Sequence, residues 1–143
     1  MKRETKTTIR YGVVILALLG VSFQSLAADV MTSVQQVLSN PSAFHRHDVV
    51  LKGKLKLVGQ MEGKNVAGAA ICGPIFELDD DTGEIRVIYL IRCDEQEVSR
   101  VSAMAGGRAI VYATIDSITV TINADGSESR TRAMATKIQR DDK

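Results

Sequence analysis

Pro74-Ile75-Phe76-Glu77-Leu78-Asp79-Asp80-Asp81-Thr82-Gly83-Glu84-Ile85-Arg86-Val87-Ile88-Tyr89-Leu90 is the stretch that decides the fold. Apolar and polar residues alternate up to an acidic turn ending in Thr-Gly, then alternate again beyond it, which spells a β-hairpin. With Thr82-Gly83 as a two-residue loop, Asp81 faces Glu84, Leu78 faces Val87, Phe76 faces Tyr89 and Cys72 faces Cys93. These share one side of the ribbon. The other side carries Ile75, Glu77, Asp79, Arg86, Ile88, Leu90 and Arg92.

Cys72 and Cys93 are the only cysteines. Directly opposite residues of an antiparallel pair place their Cα atoms roughly 4.5–5.5 Å apart, within reach of a disulfide. A bridge closing a loop of about 20 residues is worth roughly 3 kcal/mol in the chain-entropy account. No Cys-x-x-Cys motif supports a redox-active pair.

The chain opens as an export signal does. Lys2, Arg3, Lys6 and Arg10 precede an apolar run over residues 11–23, and Ser25-Leu26-Ala27 supplies small residues for cleavage. The run is too short for a membrane span. Residues 1–27 are therefore expected to leave, with Ala28 as the alternative cut, and residues 28–143 to form one domain. That places the protein in the periplasm if the cell has an outer membrane, and outside the cell otherwise. The whole chain carries 18 basic and 17 acidic side chains; the remainder keeps 14 and 16. A slightly acidic domain lacks the overall charge of most nucleic-acid binders.

Valines at helical spacing predict a short helix over residues 29–39, stopped at Asn40-Pro41. A first strand over residues 49–58 puts Val49, Leu51, Gly53, Leu55 and Leu57 on one side and Lys52, Lys54 and Lys56 on the other. Residues 59–73 read as a mobile Gly- and Ala-rich connection. Asp94 with Glu97 predicts a capped helix through Ala105, ended by Gly106-Gly107. A long strand over residues 108–122, interrupted near Asp116-Ser117, turns at residues 123–126 and returns as a last strand over residues 131–138. Residues 139–143 are expected to fray. Five strands with a helix between the third and fourth make a mostly β chain with the order of an OB-fold, a partly open Greek-key barrel.

Two motifs carry a resemblance to small bacterial OB-fold domains, among them the tRNA-anticodon-binding-like and exported bacterial OB-fold groups. One is Leu38-Ser39-Asn40-Pro41-Ser42-Ala43-Phe44 followed by Val49-Val50-Leu51-Lys52-Gly53. The other is the hairpin pattern of Phe76, Leu78, Asp80, Thr82-Gly83, Ile85 and Val87. The resemblance spans residues 32–138. The chain departs from many such domains in its Gly-Ala-rich segment and its lack of Trp.

OB-folds bind chiefly on the face of strands two and three, so Ile75, Arg86, Ile88, Leu90 and Arg92 are candidate ligand-binding residues. The Lys52, Lys54 and Lys56 stripe is a further candidate. A single-strand binder would add stacking rings there, yet Phe76 and Tyr89 fall on the core side. The aliphatic residues are expected to lie under the N-terminal helix or to dock a partner. Asp79-Asp80-Asp81 reads as a solvated turn. His45-Arg46-His47-Asp48 offers two imidazoles and a carboxylate to a metal but no fourth ligand. No catalytic motif appears. The sequence thus points to a non-catalytic exported binding module without a cofactor or dedicated metal, its partner an envelope protein, oligosaccharide or small ligand. A single-stranded nucleic-acid binder is the alternative, and a metal-dependent enzyme around His45 and His47 a further one.

Overall fold

A computed structural model describes residues 30–121 and 127–143. The expected export signal and the turn at residues 123–126 lie outside the described residues. Two short helices, α1 (Val34–Ser39) and α2 (Pro41–Phe44), lead into β1 (Asp48–Lys64), β2 (Ala70–Asp79), β3 (Glu84–Ile88) and β4 (Ile91–Arg92). Then come α3 (Glu95–Ser102), β5 (Arg108–Thr121) and β6 (Ser127–Arg140).

β1 pairs with β2 through one half and with β5 through the other, β6 joins β5, and β3 closes the ring against both β2 and β6. The β3–β6 seam is parallel and three residues long, Arg86–Ile88 against Arg132–Met134. Closure of five strands in this order makes the chain an OB-fold-like barrel. β4 is a two-residue addition to the edge of β2.

Period-two alternation drives the closure. Leu51 and Leu55 of β1, Phe76 and Leu78 of β2, Ile85 and Val87 of β3, and Val111 and Ile115 of β5 all turn inward and are buried. Val34 and Val37 from α1, and Val101 and Met104 from α3 and the turn behind it, complete the core. β1 changes partners near Gly53, where a Cβ would lie 2.4 Å from the Asp79 carbonyl oxygen. Only glycine permits that approach.

Several expectations are corrected. α1 begins at Val34 because Ser33 caps it, in a reciprocal box with Gln36, and Asn40-Pro41 opens α2 rather than ending helix altogether. Residues 59–73 are mostly strand: β1 and β2 run on as a two-stranded arm to a turn at residues 65–69. The hairpin loop is four residues, 80–83, so Asp79 faces Glu84 and Phe76 faces Val87, two residues away from the expected register. Cys72 consequently pairs with Ile91. The Cys72–Cys93 disulfide still forms, because the chain bends after Arg92 and returns Cys93 to within 4.9 Å of Cys72, Cα to Cα.

Asp94 caps α3 as expected, accepting from the Gln96 and Glu97 N–H groups, but Glu97 turns to Arg100 instead of back to the cap. α3 stops at Ser102, short of Ala105. β5 is continuous through Asp116-Ser117; the irregularity falls between Tyr112 and Ala113. The last strand is longer than expected. Asp141 behind it is held, its carboxylate 2.9 Å from Lys52 Nζ and its N–H donating to the Arg108 carbonyl.

Candidate functional site

The inward turn of Phe76, Leu78, Ile85 and Val87 leaves Ile75, Glu77, Arg86 and Ile88 on the outer face of β2 and β3. Register then builds rows across the barrel wall. Lys56, Glu77, Arg86, Arg132 and Asp116 stand opposite one another in succession on β1, β2, β3, β6 and β5. Lys56 Nζ is 3.8 Å from Glu77 Oε2, and Arg132 makes a two-nitrogen contact to Asp116 Oδ2 at 2.7 and 2.9 Å. Arg86 is exposed and has no ion pair among the described residues. Like charges directly opposite each other destabilise a sheet, and Arg86 and Arg132 are so placed.

The next row is apolar. Gly59, Ile75, Ile88 and Met134 follow one another across β1, β2, β3 and β6. Ile88 is 5% exposed although it lies outside the core cluster. Beyond it, Leu90 Cδ2 and Met61 Cγ lie over Gly73, 2.8 and 3.2 Å from where a Cβ would stand. A side chain at Gly73 would collide with Leu90.

A groove of about 820 Å³ crosses these rows. Ile75, Ile88 and Ile118 give it apolar surface, Leu38 and Pro41 form one wall, and Arg86, Arg130, Arg132 and Glu77 give it charge. The wall stands where it does because of the hairpin loop. Asp80 Oδ2 accepts from the Val34 N–H at 2.8 Å and Thr82 Oγ1 from the Gln35 N–H at 3.1 Å, so the loop caps the start of α1. Gly83 admits the helix closely: a Cβ there would lie 3.3 Å from Val34 Cγ1 and 3.6 Å from Leu38 Cδ1. Burial tends to raise the Asp80 pKa, but hydrogen bonds from the Thr82 hydroxyl and the Val34, Thr82 and Gly83 N–H groups outweigh it and hold the carboxyl below its ordinary value. The acidic triplet is a joint as well as a turn.

Of the candidate residues, Ile75, Arg86 and Ile88 meet in the groove. Leu90 and Arg92 are exposed beyond it toward the arm, with Arg92 opposite Ile71. The lysine stripe stands apart and is answered by acids: Lys52 by Asp141, Lys56 by Glu77, and Lys54 opposite Asp79 in the register. The aliphatic patch is covered only in part: Ile88 is buried and α1 packs on β3, whereas Ile75 is half-buried and Leu90 exposed. α1 spends Val34 and Val37 on the core, and Leu38 alone of its residues lines the groove.

Leu38, Pro41, Ile118 and the arginines of β6 were not assigned to this face by sequence. The available signal was the Greek-key order, which lays the last strand beside the third and so sets Arg132 against Arg86. His45 and His47 do not converge. His45 Nδ1 accepts from the Ser117 N–H at 3.1 Å, His47 Nδ1 sits 3.1 Å from the His45 carbonyl oxygen, and no group of three ligating side chains occurs among the described residues.

No family model matches the chain, and no curated protein matches it in sequence. Solved structures do resemble it. One is a protein assigned as an aspartyl-tRNA synthetase from Leishmania major, at 14% identity and TM-score 0.48, covering 84% of this chain; the chain spans only 22% of that protein. A small single-stranded DNA-binding protein from Streptomyces coelicolor matches at 10% identity and TM-score 0.43, over 66% of this chain and 93% of its own. The Plasmodium falciparum SSB bound to single-stranded DNA matches at 14% identity and TM-score 0.38, over 64% and 90%. Likeness at this level decides nothing about what this chain binds.

Proposed function

We propose that the chain is an exported, disulfide-stapled module that holds a ligand, without chemistry, in the outer groove of its barrel. The observation that carries this is the groove itself: about 820 Å³, aliphatic along one row and arginine-bearing along the next. A few placed charges beside apolar surface is the usual make-up of a binding cleft. Export rests on the basic and apolar opening of the sequence and its small-residue cleavage pattern. An envelope protein, an oligosaccharide or a small ligand would all meet the protein there.

Affinity capture from envelope extract tests the proposal, using the protein and its Ile75→Gln/Arg86→Gln variant. Reproducible retention of a component by the parent and its loss with the variant, the two having the same circular dichroism, is the expected result. Equal retention by both would overturn the groove as the site. A catalytic turnover lost on substituting His45 or His47 would overturn the non-catalytic reading.

One observation favours a single-stranded nucleic acid instead, namely the three arginines lining the groove. Against it, no aromatic ring lines the groove among the described residues, and base stacking is a large part of such binding. Fluorescence anisotropy with short oligonucleotides at low salt decides between them. Sub-micromolar binding that falls steeply with salt would install the nucleic-acid reading.

A further inference from the structure

Resting on the binding-module reading, we infer that the groove's occupant is an extended segment of a partner protein, with one carboxylate side chain seated between Arg86 and Arg132 and an aliphatic side chain two residues away on the Ile75–Ile88 row.

The charge pattern comes first. In the row Lys56–Glu77–Arg86–Arg132–Asp116, each acid already has a basic partner, Lys56 for Glu77 and Arg132 for Asp116. Arg86 makes no ion pair of its own among the described residues, with Glu77 across from it on β2 and Arg132 across from it on β6. Neighbouring strands lie about 4.8 Å apart, so two guanidiniums there can clamp a single carboxylate through charge-assisted hydrogen bonds. Asp116 already balances Arg132, so one added anion would answer the charge that remains, that of Arg86.

The surroundings select a single acid over a polyanion. Glu77 lines the groove, and the row toward the hairpin tip carries Asp79 opposite Glu84. A chain of phosphates following the strands would leave the arginines and meet these acids. A peptide with one acid meets only the clamp. The described lining also holds no ring, and so lacks the stacking surface that bases use.

Spacing makes the case for a peptide. Glu77 and Ile75 are two residues apart on β2, as are Arg86 and Ile88 on β3. Alternate side chains of any extended chain are separated by about 6.7 Å, so the step from charged row to apolar row equals the step from residue i to i+2 in a docked strand. Ile88 itself is buried, but half-buried Ile75 and exposed Leu38 and Ile118 leave apolar surface beside that row for an aliphatic side chain.

Panning a displayed library of random heptapeptides on the purified protein, then titrating synthetic winners by fluorescence anisotropy, tests this. The expected winners carry Asp or Glu with Leu, Ile, Val or Met two positions away. Replacing the acid by its amide should weaken binding about tenfold, the scale of a hydrogen-bonded charge contact. Arg86→Gln should do the same, and Arg86→Glu should restore affinity for a winner whose acid is replaced by Lys. Thermal unfolding and circular dichroism check that each variant folds. Winners without an acid, or winners insensitive to Arg86→Gln, overturn the inference. A selection that yields nothing also overturns it, and leaves the module itself to the capture experiment above. A nine-residue oligothymidylate that binds more tightly than every winner overturns both in favour of nucleic acid.

Discussion

The turns at residues 65–69 and 80–83 bracket the same strand, β2, and differ in what their side chains reach. Asn65 Oδ1 accepts from the Ala67 and Ala69 N–H groups, bonds that stay within the turn, and every residue from Gln60 to Ala70 is exposed. Asp80 also ties its own loop, through Thr82 and Gly83, but its second oxygen takes the Val34 N–H from the far side of the chain. One turn serves only itself. The other fixes a helix, and with it the wall of the groove. Composition is a poor guide to a turn's weight: Asp79 and Asp81 are exposed, but Asp80 between them is half-buried and tied to α1.

Two changes near the ends of β2 should have the largest effects. Below the arm, Cys72 is bonded to Cys93; Cys72→Ser with Cys93→Ser should cost about 3 kcal/mol of unfolding free energy by urea titration. Loss under about 1 kcal/mol would show that the arm end needs no staple. At the other end, Gly53→Ala drives a Cβ into the Asp79 backbone and should cost about 2–3 kcal/mol, as overpacking typically does. If Gly53→Ala proves neutral, the barrel closure near Asp79 is looser than the contrast requires.

Much of this is legible in the sequence itself. The hairpin's inner and outer faces follow from strict alternation in residues 74–90, and the Asp94 cap from Glu97 three residues on, although Glu97 itself turns to Arg100. The cysteine pairing was also legible, although by a register two residues out. That register depends on Asp80, whose loop is shaped partly by a bond to Val34, and no local pattern announces such a partner. The arm was missed because alternation appears only when one face is buried, and residues 60–70 bury neither. The groove was half legible: Ile75, Arg86 and Ile88 come from the hairpin, but its other arginines arrive on β6, placed by the parallel seam. The lysine stripe misled because the sequence shows lysines without showing which acids stand across from them.

Asp80 gives an effect of middle size. Asp80→Asn keeps an oxygen for the loop but puts an amide where the Val34 N–H needs an acceptor, so the loop's bond to the start of α1 should be lost at a cost of about 1 kcal/mol, with the Ser33 cap left in place. Asp80→Ala loses both sets of bonds and should cost about 1–2 kcal/mol. The parent should also show an acid limb that Asp80→Asn lacks. Because the folded carboxyl lies below its ordinary value of 3.8, the unfolded chain takes up the proton first. This stability is therefore complete above that value and drains as pH falls through the folded pKa. Parallel acid titrations of the two proteins, followed by circular dichroism, would expose a missing limb.

The smallest effect belongs to the other turn. Asn65→Ala removes the acceptor for two N–H groups, the same kind of loss as Asp80→Ala suffers within its loop. Here, though, Ala67 and Ala69 are exposed, so water can take the vacated bonds and nothing distant moves. The cost should stay within about 0.5 kcal/mol, and peptide affinity should be unchanged. A cost equal to that of Asp80→Ala would mean that local turn chemistry, and not the reach to α1, sets the weight of both ends of β2.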